Sequence, residues 1–472
     1  MIGELLNTKE SAAHEWSPAL GLPVVRFGSV KTALAVRGSV WVLLGVGASK
    51  GVRAAATLIL ARVFLTPIDF GLFALVTAFL SGVSMLAELG ITTSVIRHPR
   101  GDEPALLDTA FLMQAGRGIL LSGAAIALAY PFAAFYHQPA LVWLVIVSVL
   151  DVAFRGFTST SVWTLSRRVE TRELAMLTLY GDLAGLVVAV VWAAVSPTVW
   201  ALVVGRVASA FTYVVASHLV KGLTTRLRWD ARAAREILSF SAGLLVSSAT
   251  FFLVTEGQRL VVGKFATVAE LGCFALAMSI STLPDQFIGT VVEKVFYPMI
   301  SSTAAQSVDR AAVHFQTVRR IIVVLCCCMA AGFAMCSGMI TRLVLGPQYA
   351  AVGWMLPWLG VRAALMLFAG VASYMLFALG FSRYAAFGNI TKLAYLAVGL
   401  TISFRWFNFR TAIVVIALAP LFAYLPLLVG LAKHLKAVLH TELACAATLA
   451  GVSTLAAGLV YLFRPVAGGL HP

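Results

Sequence analysis

Apolar stretches of about 20 residues recur along the whole of this sequence, and each is long enough to cross the hydrocarbon core of a bilayer as a helix. No other feature constrains the fold as strongly. Inside lipid every backbone N–H and C=O must find its partner within the protein, so a spanning segment is either a helix or a strand of a closed barrel. Runs of this length specify helices. They fall near 38–62, 69–93, 107–130, 140–163, 174–196, 198–220, 237–262, 268–297, 319–341, 350–378, 384–404, 411–432 and 442–463. Composition agrees: 60% of the 472 residues are hydrophobic and only 12% are charged, about half the charged share of a soluble protein. The expected fold is an all-α polytopic membrane protein.

Lys and Arg exceed Asp and Glu by 15. In a membrane protein such an excess belongs first to cytoplasmic loops, not to a nucleic-acid surface. With the N-terminus placed in the cytoplasm, the inner segments 1–37, 94–106, 164–173, 221–236, 298–320, 379–383 and 433–441 hold 20 Lys/Arg. The outer segments 263–267, 342–349, 405–410 and 464–472 hold five. This asymmetry sets the orientation, and it leaves 298–320 and the basic 221–236 as the longest inner connections. Cys273, Cys326, Cys327, Cys328, Cys336 and Cys445 all lie in apolar stretches without metal-ligand spacing, so they read as packing residues.

The two halves of the chain share a turn. Thr66-Pro-Ile-Asp69-Phe-Gly71-Leu-Phe73-Ala-Leu75 matches Thr267-Val-Ala-Glu270-Leu-Gly272-Cys-Phe274-Ala-Leu276 at an offset of 201 residues. Six helices separate the copies, so both run the same way across the membrane, as in a parallel repeat. This divides the chain into a cytoplasmic segment 1–37, an N-lobe 38–220, a linker 221–236, a C-lobe 237–432 and a last span with its tail, 433–472. The fold expected is two pseudo-symmetric six-helix bundles plus one extra C-terminal hydrophobic span. The Asp/Glu-x-Gly element suits a helix start just past a tight turn: the acid favours a helix N-terminus, and the Gly permits close helix packing.

Charges inside the spans are costly, so each must face a partner or a wet cavity. Asp151 with Arg155, and Glu256 with Arg259, have the spacing of local helix pairs. Glu88, Glu293, Lys294 and Lys392 lie near inner ends and are expected to snorkel. Arg206 is a further intramembrane cation. Lys50 and Arg53 share a face of the first helix that carries no acid, and Arg117 and Arg362 also lack a local acid. Lys50, Arg53, Arg117, Arg259 and Arg362 are therefore the candidates for binding an anionic group, with tertiary pairing to Asp182 or Asp285 as the competing role. Guanidinium forks match phosphate oxygens and Lys adds a point charge. Pro284, which removes a helix N–H, together with Asp285, Asp182 and Glu256, supplies the candidates for gating and ion coupling. No metal or cofactor is expected.

The run Trp41-Val-Leu-Leu-Gly, then Leu60-Ala61-Arg62-Val-Phe-Leu-Thr-Pro67-Ile-Asp69-Phe70-Gly71, then Glu88-Leu-Gly90-Ile resembles the opening of bacterial oligosaccharide flippases. These are Wzx-type members of the multidrug/oligosaccharidyl-lipid/polysaccharide (MOP) exporter superfamily. Leu345-Gly-Pro-Gln-Tyr349-Ala is similar to that family's outer turn after the ninth helix. The resemblance implies two MOP/MATE-like six-helix lobes around a cationic cavity in the bacterial inner membrane. It implies alternating access for an undecaprenyl-diphosphate-linked oligosaccharide, moved from the cytoplasmic to the periplasmic leaflet for O-antigen or extracellular polysaccharide synthesis. Implied partners are that substrate, the membrane lipids, a polysaccharide polymerase and chain-length or export proteins. Basic residues of the first helix face the cavity in the related lipid II flippases; Lys50 falls on one such position, Ala56 on its neighbour, and Arg53 stands one turn before. Where fourteen-helix relatives have two extra C-terminal spans, this chain has one clear one. Two other readings compete. A membrane glycosyltransferase or polymerase needs a sizeable outer loop rich in acids or His, and the outer acids here are Asp69 and Glu270 alone. A small-molecule drug exporter of the same superfamily would favour an acidic lining over a basic one.

Overall fold

The computed structural model describes residues 30–86, 91–98, 101–168, 170–220 and 228–462. Every regular element among them is helical, as the long apolar runs require. In the first half these are α1 (Val30–Val63), α2 (Pro67–Leu86), α3 (Ile91–Arg97), α4 (Pro104–Tyr136), α5 (Ala140–Gly156), α6 (Ser161–Arg167), α7 (Thr171–Val195) and α8 (Trp200–Leu219). Next come α9 (Ala231–Thr255), α10 (Gly257–Phe265), α11 (Val268–Val291), α12 (Tyr297–Ala304) and α13 (Val308–Met339). The chain closes with α14 (Ala350–Ala378), α15 (Arg383–Trp406), α16 (Phe409–His434) and α17 (Leu439–Leu462).

Nine described helical segments are long and apolar enough to cross a membrane, or ten if α5 and α6, bent by 60°, form one span. Helices α1, α9 and α17 have comparable lengths of 34, 25 and 24 residues. The protein is therefore a multi-pass membrane protein. Large apolar side chains on its perimeter, such as Leu120, Val195 and Met335, are exposed, as lipid-facing residues are.

One expected inner loop is largely helical, and another ends in a helix. Residues 298–320 contain α12 and the start of α13, broken only at 305–307, because the Ser307 side chain accepts from the Arg310 N–H and opens a new helix at once. The expected linker 221–236 already enters α9 at Ala231, where the Asp230 carboxylate accepts from the N–H groups of Arg232 and Ala233. Ala233 and Ile237 then pack on Ile91, Val95, Leu106 and Trp163. The first turns of α9 are thus seated on the first half of the chain. Glu88 and Gly90 lie outside the described residues, as do residues 1–29 and 221–227.

The repeated turn forms the opposite end of the bundle. Thr66 donates from its N–H and its hydroxyl to Asp69 Oδ2, at 2.9 and 2.6 Å. Thr267 does the same to Glu270 Oε2, both at 2.9 Å, and its hydroxyl accepts from the Glu270 N–H. The two helices so begun, α2 and α11, pack directly on one another. Three side chains bind the same end together. Gln348 Nε2 donates to the Ala61 and Leu65 carbonyls at 3.2 and 3.1 Å, Tyr349 Oη donates to Leu65 O at 2.8 Å, and Arg62 Nη1 donates to Arg342 O at 3.1 Å. Gln348 and Tyr349 thereby satisfy carbonyls at the C-terminal end of α1 and the turn after it, which the helix itself leaves unbonded.

The last helix is fixed by a buried ion pair that the sequence reading missed. Arg319 on α13 holds Glu442 on α17 through Nε at 2.8 Å and through Nη2, and both side chains are fully buried. Tyr424 Oη donates to the same carboxylate at 2.7 Å, and the guanidinium lies 3.3 Å from the Phe368 ring centroid. The surrounding apolar residues of α13, α14, α16 and α17 form one cluster. Of the cysteines, Cys273, Cys326 and Cys445 are buried as expected, but Cys328 is exposed on the perimeter.

Candidate functional site

Helix α1 carries Ser49, Lys50 and Arg53 into the middle of the bundle. It can lie close on α7 because Gly45 faces Ala175; a side chain there would collide with the Ala175 methyl. That approach brings Asp182 of α7 to α1, where it accepts from the Ser49 hydroxyl and from Arg53 Nε at 2.9 Å. The carboxylate is 5% exposed while Arg53 keeps 63% of its side chain exposed. Asp182 therefore occupies one edge of the guanidinium, and the rest faces open space. The tertiary pairing weighed against a binding role for Arg53 does form, and it fixes the side chain without burying it.

Lys50 points the other way, to α11. Its Nζ donates to the Gln286 carbonyl at 3.3 Å. Pro284 sits two residues earlier and has no N–H to offer the ladder, and six residues past Gln286 the helix widens into a π-turn over Val292–Phe296, a distortion frequent at functional sites. Asp285, between Pro284 and Gln286, lies within electrostatic range of Lys50, Arg362 and Lys392. Arg362 of α14 is also within range of Arg259 of α10, which is paired to Glu256 through Nη1 at 2.8 Å. The structure thus brings together Lys50, Arg53, Arg259 and Arg362, with Asp182, Glu256 and Asp285 among them.

Arg117 is anchored elsewhere: its Nη2 donates to the Ser84 carbonyl at 2.8 Å, tying α4 to α2. Asp151 pairs with Arg155 at 2.9 Å, as the spacing predicts, and also takes Arg206 of α8 at 3.1 Å. Glu293 and Lys294 form a half-exposed pair at 3.3 Å.

Lys392 corrects the sequence reading. Its position near a span end suggested snorkelling, yet it is 4% exposed and turned inward on α15. Its ammonium lies against Met366 Sδ at 3.4 Å. Periodicity alone could have pointed inward, since Leu396 and Leu400, one and two turns on, share that face and are buried. With Lys392 the group holds five cations against three carboxylates. Among the described residues no three His, Cys, Asp or Glu side chains converge as a metal site.

A family model described as "Polysaccharide biosynthesis protein" matches residues 59–353, more than half of the chain. The chain belongs to this polysaccharide biosynthesis family. Two curated relatives are similar to it. One is the succinoglycan biosynthesis transport protein ExoT of Rhizobium meliloti (strain 1021), 20% identical over 55% of this chain and 52% of that protein. The other is the amylovoran biosynthesis protein AmsL of Erwinia amylovora, 24% identical over 64% of this chain and 73% of that one. The chain thus spans about half the length of ExoT. Among solved structures, the lipid II flippase MurJ in an inward closed conformation is similar with a TM-score of 0.65 and 12% identity, over 90% of this chain and 97% of that one. An inward-facing MATE multidrug resistance transporter is similar with a TM-score of 0.59 and 12% identity, over 90% and 96%. The fold of this family member is that of the MOP superfamily.

Proposed function

We propose that this protein flips a polyprenyl-diphosphate-linked oligosaccharide from the cytoplasmic to the periplasmic leaflet of a bacterial inner membrane. The observation that carries the reading is the group of cations Lys50, Arg53, Arg259 and Arg362, drawn from α1, α10 and α14 of a polysaccharide biosynthesis family member. A diphosphate is the charged part of such a substrate, and basic side chains in a wet cavity hold it electrostatically. Arg117, which ties α4 to α2 at Ser84, stands apart from this group. The N-terminus lies in the cytoplasm, which puts the Thr66 and Thr267 turns outside.

Residues 38–220 and 237–432 act as two lobes that expose the cations to each side in turn, and residues 433–472 supply an added span and its tail. The cycle advances only if affinity differs between the two orientations. Asp285 supplies that difference by competing for the cations around it, with Asp182 and Glu256 as further ion-coupling groups and Pro284 as the bend that lets α11 move. A polymerase and chain-length or export proteins use the flipped product.

Reconstitution tests the reading. Proteoliposomes holding this protein and a labelled undecaprenyl-diphosphate oligosaccharide are expected to move label across the bilayer faster than protein-free vesicles. Equal rates in the two would overturn the proposal. In cells, deleting the gene is expected to leave lipid-linked repeat units on the cytoplasmic leaflet.

A further inference from the structure

Among the described residues, two of the cations lack the contacts that a structural role would give them. Arg362 and Lys392 are 7% and 4% exposed. Taking such charges out of water costs several kcal/mol per ion unless a counter-charge meets them. Elsewhere in the same half the chain shows what a structural solution looks like, in the two-pronged Arg319–Glu442 contact with its added tyrosine. Among the described residues neither Arg362 nor Lys392 has anything of the kind. The partner of Lys392 is a thioether, which is a weak acceptor.

Met366 lies one helical turn beyond Arg362 on α14, so an ammonium held at Met366 shares a strip of that helix with the guanidinium. Asp285 is the carboxylate within range of both, and it also faces Lys50. Among the described residues it makes a direct ion pair with none of the three. One carboxylate thus stands among three cations without being bound to any of them.

We infer that Arg362 and Lys392 form an oxyanion-binding subsite in the wall built by α11, α14 and α15, taking a carboxylate or phosphoryl group, with Asp285 as the built-in competitor. A planar guanidinium fork beside a compact ammonium suits an oxyanion with two acceptor oxygens. The subsite is distinct from the Arg53–Asp182 pair between α1 and α7 and gives the cation group a second anchoring point. The inference rests on the flippase reading only for the source of the anion, not for its binding.

The test is thermal unfolding of the purified, detergent-solubilised full chain, titrated at fixed ionic strength with inorganic phosphate, acetate or undecaprenyl phosphate, with chloride as the control. Wild type is expected to be stabilised beyond chloride. Lys392→Met should raise the half-saturating concentration about tenfold or more, the worth of one charge-assisted hydrogen bond, and Lys392→Arg should keep the response. Lys392-dependent stabilisation by phosphate or acetate assigns the subsite to free oxyanions. The same dependence with undecaprenyl phosphate alone assigns it to a lipid-borne phosphoryl group, and both results uphold it. Should Lys392→Met not fold, the charge-balanced double variant Asp285→Asn/Lys392→Met takes its place. No oxyanion effect on wild type, or an unchanged response in the variant that folds, overturns the inference. Failure of flipping with Lys392-dependent stabilisation intact would remove only the flippase reading.

Discussion

Gly71 and Gly272 each stand against the backbone carbonyl that opens the other's helix. A Cβ at Gly71 would collide with Val268 O, and one at Gly272 would collide with Pro67 O. Positions 67 and 71 are related to 268 and 272 by the same offset that relates the two capped turns, so the contact is reciprocal. The Thr, acid and Gly of the repeat therefore have separate tasks. Thr66 with Asp69, and Thr267 with Glu270, start the helices, and the glycines let the two starts touch.

Gly71→Val is expected to destabilise the protein by about 1–3 kcal/mol, because the obstacle is a backbone carbonyl that cannot rotate away. Thermal unfolding in detergent measures it. Gly289→Ala, where an added methyl meets nothing, serves as the control and should leave the melting temperature unlowered.

Arg319→Met is expected to cost about 3–5 kcal/mol by leaving Glu442 buried without its partner. The double variant Arg319→Met/Glu442→Leu should recover most of that loss. Unfolding curves of the two variants and wild type decide it; equal losses in the single and double variants would show that the pair is not the unit.

Gln348→Ala and Tyr349→Phe together remove three hydrogen bonds to the end of α1 and its following turn. At about 0.5–1.5 kcal/mol each, their loss should open this end of the bundle more often. In a cysteine-free background carrying Ala61→Cys, a residue with no exposed surface, labelling by a membrane-impermeant maleimide should rise about tenfold or more, the factor that three such bonds represent. An unchanged labelling rate would count against the closure.

Arg53→Glu places a second carboxylate beside Asp182 and should abolish flipping in proteoliposomes while membrane insertion persists. The swapped variant Arg53→Asp/Asp182→Arg should restore folding and leave flipping impaired, since the cation then sits on α7 rather than α1. Full activity in the swap would make the pair a purely structural tie.

Flipping should respond to an imposed proton or sodium gradient in wild type and lose that response in Asp285→Asn. Gradient-insensitive rates in both proteins would mean uncoupled transport.

What could be read from the sequence follows the range of each interaction. Long apolar runs define helices because lipid offers the backbone no alternative partner. The two helix starts were legible because an acid favours a helix N-terminus and the same element recurs in both halves, whereas the Thr caps were not read. The Asp151–Arg155 and Glu256–Arg259 pairs were legible because each joins residues one helical turn apart. Arg53 with Asp182, Lys50 with Gln286 and Arg319 with Glu442 join residues more than a hundred positions apart. They depend on which helices are neighbours. Hydropathy does not supply that, because in a bilayer the packed face and the lipid face of a helix are similarly apolar. Lys392 was misplaced on those grounds: nearness to a span end does not say which way a side chain turns.

The Arg319–Glu442 pair also sets an order on how the protein is made. Arg319 leaves the ribosome 123 residues ahead of its partner, roughly 6–25 s earlier at ordinary rates of synthesis. During that interval α13 carries a cation with no answering carboxylate, and α14 to α16 can assemble around it only provisionally. Arrival of α17 supplies the carboxylate, so a chain cut short before residue 442 displays an uncompensated charge in its membrane core. α17 thereby reports, through Glu442, that Arg319 of α13 and Tyr424 of α16 are in place.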